Sequence, residues 1–304
     1  MSTAKVITIV CWVITALALT GLVIWFLTGS LFGGWADRWQ FGFNTGGWEM
    51  LTGPYETDGT YNIDADGIDS IKVDWVAGDI TLVPYDGNDI QINELAQRKL
   101  NDNEKLRIST SGGTLEIRFH ENSIGRINMP QKQLEIFVPH GLGGNLDKLT
   151  VNSVSGSIDV KDVSAGVLSI ETTSAKTYAS GTFGNVKLTS VSGNISLNNT
   201  AHGSGVGVNT TSGSINISGA FDEVVAESVS GSVEVTSTLT PASFKAETVS
   251  GNITITLPGD ASISIHHTSV SGRLTSEIPV TMEGRGAEFR ISTVSGNSRI
   301  QALG

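Results

Sequence analysis

The chain has a single cysteine, Cys11, so no disulfide can form within it. That cysteine lies in an apolar stretch near the amino terminus, and the lack of disulfides is compatible with an oxidising compartment. The sequence also has no glycine-rich phosphate loop and no pair of cysteines with metal-ligand spacing. No serine, histidine and aspartate stand in a context typical of nucleophilic catalysis. These absences argue against the commonest classes of enzyme and metal protein.

Charged residues are also scarce: they make up 16% of the 304 residues, and the net charge is −11. A net negative charge disfavours nucleic acid as a partner, because binding to phosphates requires lysine and arginine. Glycine is abundant instead, with 36 copies. Few charges and many glycines are typical of a repetitive β protein rather than of a helical one.

What the sequence contains in quantity is one short phrase, which occurs eight times between Leu149 and Ile300. The last residues of successive copies lie 19, 18, 20, 18, 20, 21 and 24 positions apart. A period near twenty residues is the signature of stacked supersecondary units. One copy ends at Ala175, and the other seven end in Ser-Gly: Ser155 and Gly156, Ser192 and Gly193, Ser212 and Gly213, Ser230 and Gly231, Ser250 and Gly251, Ser271 and Gly272, Ser295 and Gly296.

Apolar and polar residues alternate on both sides of this phrase. The apolar positions stand seven and five residues before the glycine and two and four residues after it, as in Val186, Leu188, Ile195 and Leu197. Alternation indicates half-buried strands, so each copy predicts two short strands flanking a corner. One unit alone cannot offset the entropy of ordering it, so the units must stack. The sequence predicts an all-β fold, a parallel β-solenoid (β-helix) with coils of about 18–21 residues.

The apolar positions change parity across the phrase, from odd offsets before the glycine to even offsets after it. A strand cannot change parity without turning its apolar side chains to the other face, so the chain must bend. We expect the bend three or four residues before the glycine, because the residue two before it already has the new parity. The glycines and the serines before them are predicted to be structural corner residues, with ladders of hydroxyls from coil to coil. A catalytic role for these serines is disfavoured because no histidine or carboxylate recurs beside them.

An uncharged apolar stretch runs from Val6 to Leu27, which is long enough to span a bilayer. Lys5 precedes it, and Asp37 and Arg38 follow, a weak bias that favours an amino terminus inside the cell. A cleaved signal peptide is the alternative. We expect a single-pass protein of the cytoplasmic (cell) membrane with an extracytoplasmic solenoid.

The resulting domain organisation has five parts. Residues 1–5 are the cytoplasmic amino terminus, and residues 6–32 are one amino-terminal transmembrane helix, a signal anchor. Residues 33–62, which include Trp35, Trp39 and Trp48, are an aromatic juxtamembrane segment and linker. The strand pattern recurs with longer insertions around Gly78 and Gly113, so residues 63–147 are divergent amino-terminal coils with a cap, and residues 148–304 are the regular solenoid repeats.

Two short features resemble metal sites but have simpler explanations. The segment from Asn62 to Asp69 resembles the opening of a calcium loop, but its twelfth position is Val73 rather than glutamate. An acidic, solvated loop is the better interpretation. His266 and His267 are adjacent, so on a strand they point to opposite faces and are poorly placed to share a metal. We expect no metal, no cofactor and no catalytic residue.

Arginines crowd the last two coils, at Arg273, Arg285, Arg290 and Arg299. The final coil is expected to have no covering strand, and charges on an exposed sheet edge discourage end-to-end pairing. The alternative is a basic end that meets an anionic polymer of the envelope.

The amino-terminal span, the Ala77–Ile80 unit, the Leu134–Pro139 strand and the Ser-Val-Ser-Gly series together resemble a bacterial adhesin-like β-strand-repeat family of unknown function, of the DUF4097 type. The resemblance covers roughly residues 60–304. It implies a solenoid displayed on the outer side of a bacterial cytoplasmic membrane, and it carries over no catalytic residue.

The leading hypothesis is a non-enzymatic, membrane-anchored extracytoplasmic β-solenoid with adhesin-like binding or scaffolding in the bacterial cell envelope. Its partner would be a cell-envelope polymer or an envelope or membrane protein, besides the membrane itself. One alternative is an accessory or regulatory protein of an envelope-stress signalling system. Another is the subunit of a self-assembling filament, against which the arginine-rich last coil argues.

Overall fold

A computed structural model describes residues 54–120, 131–143, 146–281 and 286–304. The predicted transmembrane stretch, the tryptophan-bearing segment after it and Arg285 lie outside these residues. Within the described ranges, no helix has the length and apolar character needed to cross a bilayer. The elements in chain order are β1 (Glu56–Asp64), β2 (Ser70–Trp75), β3 (Ile80–Tyr85), β4 (Asp89–Ala96), β5 (Arg107–Ser111), β6 (Thr114–Arg118), β7 (Lys132–Pro139), α1 (His140–Gly143), β8 (Leu146–Ser155), β9 (Ile158–Ser174), β10 (Thr177–Ser192), β11 (Ile195–Asn199), β12 (Gly203–Ser212), β13 (Ile215–Ser218), β14 (Phe221–Ser230), β15 (Val233–Thr236), β16 (Ser243–Ser250), β17 (Ile253–Leu257), β18 (Ile263–Ser271), β19 (Leu274–Ser276), β20 (Val280–Thr281), β21 (Ala287–Ser295) and β22 (Ser298–Ala302).

The strands form two parallel stacks, one on each side of the Ser-Gly phrase. The strands before the corners form the first-strand sheet, with β6 added at its amino-terminal edge, in the order β6, β2, β8, β9, β10, β12, β14, β16, β21 and β18. The coil predicted around Gly113 is wrong, because this glycine lies in the turn of the antiparallel hairpin β5–β6. The strands after the corners form the second-strand sheet, in the order β7, β3, β9, β10, β11, β13, β15, β17, β22 and β19. The long strands β9 and β10 run through both sheets. The prediction of an all-β, parallel solenoid is confirmed.

Side chains at the predicted apolar positions fill the space between the two sheets. Leu188 and Val208 lie side by side on neighbouring coils, as do Leu197 and Ile217, and all four are at most 1% exposed. Removing such a side chain from water stabilises the fold by about 1.5–3 kcal/mol. Because equal offsets stack on one another, each coil completes the core of its neighbours.

The corner lies later in the phrase than expected. Ser190, three residues before Gly193, is only 3% exposed, so the first strand keeps its inward parity up to that residue. Val191 is 45% exposed, and the strand continues to Ser192, which is also exposed. Two consecutive outward residues are typical of a β-bulge. The expectation of a bend three or four residues before the glycine is wrong, because it took an outward-facing valine for a core residue.

At both ends, the coils stack in an order that differs from their order in the chain. At the amino-terminal end, β2 lies between β6 and β8, so a later coil covers an earlier one. At the carboxyl-terminal end, β21 lies between β16 and β18, and β22 lies between β17 and β19. The final coil is therefore covered by the coil that precedes it in sequence. The expectation that it has no covering strand is wrong, and Arg290 and Arg299 lie one strand in from the edge.

The amino-terminal end is closed by antiparallel strands around a buried ion pair. β4 pairs with both β1 and β7, and β5 pairs with β6. Nζ of Lys132 lies 2.8 Å from Oε1 of Glu94, and both side chains are 0% exposed. The ammonium also donates to the carbonyl oxygens of Glu104, at 2.7 Å, and of Phe119. Burial lowers the pKa of Lys132, and the charge of Glu94 opposes this effect.

Candidate interaction surface

The predicted corner glycines occupy positions where the stack leaves no room for a side chain. A Cβ added to Gly193 would lie 2.0 Å from the carbonyl oxygen of Ala175, and one added to Gly231 would lie 2.0 Å from that of Gly213. The same clash with a carbonyl oxygen of the adjacent coil occurs at Gly156, Gly213, Gly251, Gly272 and Gly296. Ala175 itself is buried, with its methyl group in the core, and its φ is not positive.

Backbone bonds and one repeated side-chain bond hold each corner to the next. The amide of Gly213 donates to the carbonyl of Ser230, at 3.0 Å. The residue after the glycine uses its side chain: Oδ1 of Asn194 accepts the amide of Ser214, at 2.9 Å. Asn297 does the same for the amide of Arg273, at 3.0 Å. Asparagine or serine after most of the glycines was a visible signal in the sequence, but its role as an acceptor was missed.

The hydroxyls three residues before the glycine are in register but do not bond to one another in a continuous chain. Oγ of Ser228 donates to the carbonyl of Gly213 at 3.2 Å, and Oγ1 of Thr248 donates to that of Gly231 at 3.1 Å. Ser190 and several equivalent hydroxyls are buried and have no partner among the described residues. The bonds of Ser228 and Thr248 run from a hydroxyl of one coil to the backbone of the adjacent coil, so the predicted ladder of hydroxyls bonded to one another is wrong at this position.

On the outer face of the second-strand sheet, β11, β13, β15 and β17 carry an array of mostly neutral polar side chains, here called the polar face. Ser196, Asn216, Glu234 and Thr254 lie in one row across neighbouring strands. A parallel row consists of Asn198, Ser218, Thr236 and Thr256. Adjacent strands are about 4.8 Å apart, so donors and acceptors recur at that spacing along each row. Among these eight residues, Glu234 is the one charged side chain. Beyond them, the first row continues to Asp159 on β9 and to Arg299 on β22.

Charges on the outer face of the first-strand sheet are mostly paired with each other. Lys187 lies 3.0 Å from Glu171, and Lys245 pairs with Glu227 and, at 3.2 Å, with Glu247. Burial alone would lower the pKa of Lys245, but its hydrogen bond to Glu227 and the nearby carboxylates raise it. These pairs leave little free charge to recognise a charged ligand.

An open groove of about 320 Å³ crosses the first-strand sheet between these pairs. Its floor is β12, where Gly205 and Gly207 leave the strand bare. A Cβ on Gly207 would approach nothing closer than 4.0 Å, and one on Gly205 nothing closer than 3.7 Å. Unlike the corner glycines, these two are therefore not required by stacking. The walls of the groove are formed by Val167, Asn185, Lys187, Glu223 and Val225.

The part of the chain that the structure describes contains no group of three or more His, Cys, Asp or Glu residues suited to hold a metal ion. In the segment that resembles a calcium loop, Oδ1 of Asp64 accepts the amide of Asp66 at 3.0 Å and so belongs to a turn. On β18, the side chain of His266 is exposed, while that of His267 is half-buried. The two rings thus lie on opposite faces of the strand.

Several solved structures are similar to this chain over most of its length. No curated protein matches the chain. Among solved structures, a candidate adhesin from Bacteroides fragilis is 14% identical, with 80% of this chain and 96% of that chain covered and a TM-score of 0.46. A candidate adhesin from Parabacteroides distasonis is 15% identical, with 82% and 98% covered and a TM-score of 0.45. A candidate lipid-binding protein from the same species is 14% identical, with 79% and 96% covered and a TM-score of 0.42.

The sequence model of one family matches residues 68–301, which include every corner glycine, both sheets and the buried ion pair. This match extends over far more than half of the chain and confirms the resemblance seen in the sequence. The chain belongs to the Toastrack DUF4097 family.

Proposed function

We propose that this chain is a non-enzymatic, adhesin-like binding protein whose polar face contacts a neutral polysaccharide of the cell envelope. The observation that carries the proposal is the register of that face. Hydroxyl and amide groups stand at the same offset on all four strands from Asn198 to Thr256, and on three of the four from Ser196 to Thr254, where Glu234 supplies a carboxylate. A surface of this kind repeats the same hydrogen-bonding groups at the spacing of the strands.

A repeated neutral surface favours a repeated neutral partner. One hydrogen bond contributes only about 0.5–1.5 kcal/mol net, so a single small ligand would bind weakly here. A polymer can engage several rows at once, and linked contacts raise the overall affinity without any strong single contact. Because Glu234 is the one charge among the eight residues of the polar face, this face offers an anionic polymer no cation.

We further propose that the solenoid is anchored by residues 6–32 and stands on the extracytoplasmic side. The uncharged stretch Val6–Leu27 has the length of a membrane span, and Lys5 before it favours an amino terminus inside the cell. Protease added to intact spheroplasts tests this orientation. If the solenoid is extracytoplasmic, the protease should digest it in intact spheroplasts. Full protection of the solenoid would contradict the proposed topology.

The binding proposal is tested by cosedimentation of the full chain, in detergent, with cell-wall sacculi stripped of anionic polymers. The variant Asn216→Ala/Thr236→Ala/Thr254→Ala removes three groups of the polar face. It should weaken binding at least about tenfold, because three hydrogen bonds of modest strength are lost.

The matched control is Thr150→Ala/Thr189→Ala/Asn209→Ala, which removes the same chemical groups from the outer face of the first-strand sheet. It should bind like the unaltered chain. Equal weakening by the two triple variants, or no binding by the unaltered chain, would contradict the proposal. Loss of binding by the control alone would move the contact to the groove face.

A further inference from the structure

The groove on the first-strand sheet exists because one strand departs from the repeat. Eight and six residues before its corner glycine, β12 has Gly205 and Gly207, whereas the same offsets of the other seven repeats have larger side chains. Glycine weakens a strand, because it loses more backbone freedom on folding than any other residue. Stacking requires neither glycine here, since an added Cβ would approach nothing closer than 3.7 Å at Gly205 or 4.0 Å at Gly207. Stability given up where packing does not demand it indicates a function for the bare strand.

The floor of the groove offers contact surface but no free hydrogen-bonding group. β12 pairs with β10 on one side and with β14 on the other, and both ladders include Gly205 and Gly207. The N–H and C=O groups of the floor are therefore used within the sheet. What remains exposed is the flat face of the peptide units and the Cα–H groups of the glycines. A ligand on this floor must present an apolar face to it.

The walls on the two sides of Gly205 are polar. Oδ1 of Asn185 lies 3.7 Å from the position that a Cβ on Gly205 would take, and the Cβ of Glu223 lies 3.9 Å from that position. Neither the carboxamide of Asn185 nor the carboxylate of Glu223 has a hydrogen bond or an ion pair with another residue in the described part of the chain. Both groups are exposed and so are available to a ligand at the rim.

The walls on the two sides of Gly207 are mainly apolar. Val225 stands on one side and Lys187 on the other. The ammonium of Lys187 lies 3.0 Å from Glu171, so its charge is balanced, while its methylene chain adds apolar surface. Among the residues that line the groove, Glu223 therefore carries the one unbalanced charge. A negative charge at the rim disfavours an anionic ligand.

These features together select a flat ligand with apolar faces and a polar edge. An aromatic side chain would use the floor but would leave Asn185 and Glu223 without partners. A nucleotide would bring its phosphates towards the carboxylate of Glu223. A pyranose ring with equatorial hydroxyls has C–H groups on its faces and hydroxyls around its edge, so it can use the floor and the walls at once.

The size of the groove agrees with a single ring. β10 and β14 each lie about 4.8 Å from β12, so the two walls stand about 9.6 Å apart. The volume of about 320 Å³ is at the lower end of the range for small-molecule sites. One ring fits between the walls, and the open ends leave room for a linked ring to continue.

We propose that the groove over Gly205 and Gly207 binds one neutral pyranose residue of an oligosaccharide. The ring lies flat on β12, with hydroxyls directed to Asn185 on one side and to Glu223 on the other. The carboxamide both donates to and accepts from hydroxyls, and the carboxylate accepts from them. The site lies on the first-strand sheet, so it is separate from the polar face and does not depend on it. With few hydrogen bonds and an open rim, its dissociation constant should be on the order of millimolar.

The test is saturation-transfer difference NMR of cellotriose, a neutral oligosaccharide with equatorial hydroxyls, with the full chain in deuterated detergent. This measurement detects weak binding and reports which ligand protons touch the protein. The unaltered chain should give signals that are strongest at the axial C–H protons on the faces of the rings. Trigalacturonic acid, an anionic trisaccharide, should give little signal, because its carboxylates would meet Glu223.

The variant Gly205→Val/Gly207→Val fills the floor where a Cβ has room, and valine favours a strand, so the fold should be retained. It should weaken cellotriose binding at least about tenfold, because the valine side chains take the place of the ring. The matched control is Thr150→Val/Ser169→Val, which puts two valines at the offset of Gly207 on β8 and β9. Neither position lines the groove, so the control should bind like the unaltered chain.

The walls are tested by Asn185→Ala/Glu223→Ala, which leaves the floor intact. Loss of the hydrogen bonds from both walls should weaken cellotriose binding about tenfold. N-acetyltryptophanamide serves as the competing probe for an aromatic side chain. If it gave stronger signals than cellotriose, and only the glycine variant removed them, the groove would be a site for a protein partner and the proposal would be overturned.

Two further results would overturn the proposal. One is the absence of any signal from cellotriose at about 10 mM with the unaltered chain. The other is equal binding by the unaltered chain and by Gly205→Val/Gly207→Val while circular dichroism shows the variant folded. The polar-face variant Asn216→Ala/Thr236→Ala/Thr254→Ala should bind cellotriose normally. If it alone lost the signal, the sugar would sit on the polar face and not in the groove, so the two sites can fail independently.

Discussion

Oδ1 of Asn252 accepts the backbone amide of Asn297 at 2.9 Å, although the two residues lie 45 positions apart in the chain. The bond belongs to a series in which the residue after several of the corner glycines accepts an amide from the next coil. It shows that the coil of Gly296, and not that of Gly272, rests on the coil of Gly251. The hydrogen bonds at the corners therefore show the same order of coils at this end as the pairing of the strands does.

Asn252→Ala should lower the free energy of unfolding by about 1 kcal/mol, because it leaves the amide of Asn297 without its acceptor. Urea unfolding followed by circular dichroism measures the loss. Asn209→Ala, on the outer face of β12, is the matched control and should change stability by less than about 0.5 kcal/mol. An equal effect of the two variants would show that the corner bond adds nothing.

The two kinds of glycine should respond in opposite directions to a methyl group. Gly193→Ala should destabilise by at least about 1–2 kcal/mol, and Gly193→Val by no less, because the added Cβ meets the carbonyl oxygen of Ala175. Gly207→Ala should stabilise by about 0.5–1 kcal/mol, because it restrains the unfolded chain where the native strand has room. Thermal unfolding of the two variants in parallel checks the signs. A stabilised Gly193→Ala would refute the corner geometry.

The buried ion pair of the amino-terminal cap should be costly to break from one side only. Lys132→Met leaves the carboxylate of Glu94 buried without its cation, and about 3–5 kcal/mol of stability should be lost. The double variant Lys132→Met/Glu94→Leu removes both charges and should regain most of that loss. Denaturant unfolding of the single and double variants measures the coupling. Additive losses would mean that the two residues do not act as a pair.

Acid should weaken the same cap through Glu104. Hydrogen bonds from Arg98, together with those from Asn101, hold the pKa of Glu104 at about 2, below its ordinary value of 4.5. A carboxylate with a lowered pKa in the folded state adds stability above its unfolded pKa, and that stability is lost as the pH falls from about 4.5 to about 2. Urea midpoints should therefore differ between the unaltered chain and Glu104→Gln at pH 6, and converge near pH 2. A constant difference across this range would contradict the assignment.

The strands and their register were predictable because each coil repeats the same alternation of apolar side chains. Val191 shows where that reasoning ends: an apolar residue in the right parity was taken for core, but it faces solvent beside the bulge. The acceptor role of Asn194 and its equivalents was present in the sequence as a repeated polar residue, yet only the stacked coils reveal the amide it meets.

Features that depend on non-local pairing could not be predicted. Nothing near Lys132 in the sequence indicates Glu94, since the two lie 38 residues apart and meet only through the antiparallel strands of the cap. The reversed order of the coils at each end could not be predicted from the sequence either. At the carboxyl-terminal end, the strands of the coils of Gly272 and Gly296 have the same pattern of apolar residues. The arginines of the last coil were for this reason assigned to an edge that β18 occupies instead.

The exchanged order of the last two coils also constrains how the chain can fold as it is made. The coil of Gly272 is complete before the coil of Gly296, yet apart from the two residues of β20 its pairing partners are β21 and β22, which lie between it and the rest of the stack. The carboxyl-terminal end thus cannot close progressively from one side. A chain cut off before Ala287 loses the coil of Gly296 and leaves that of Gly272 unsupported, so the last eighteen residues decide whether two coils or none are in place.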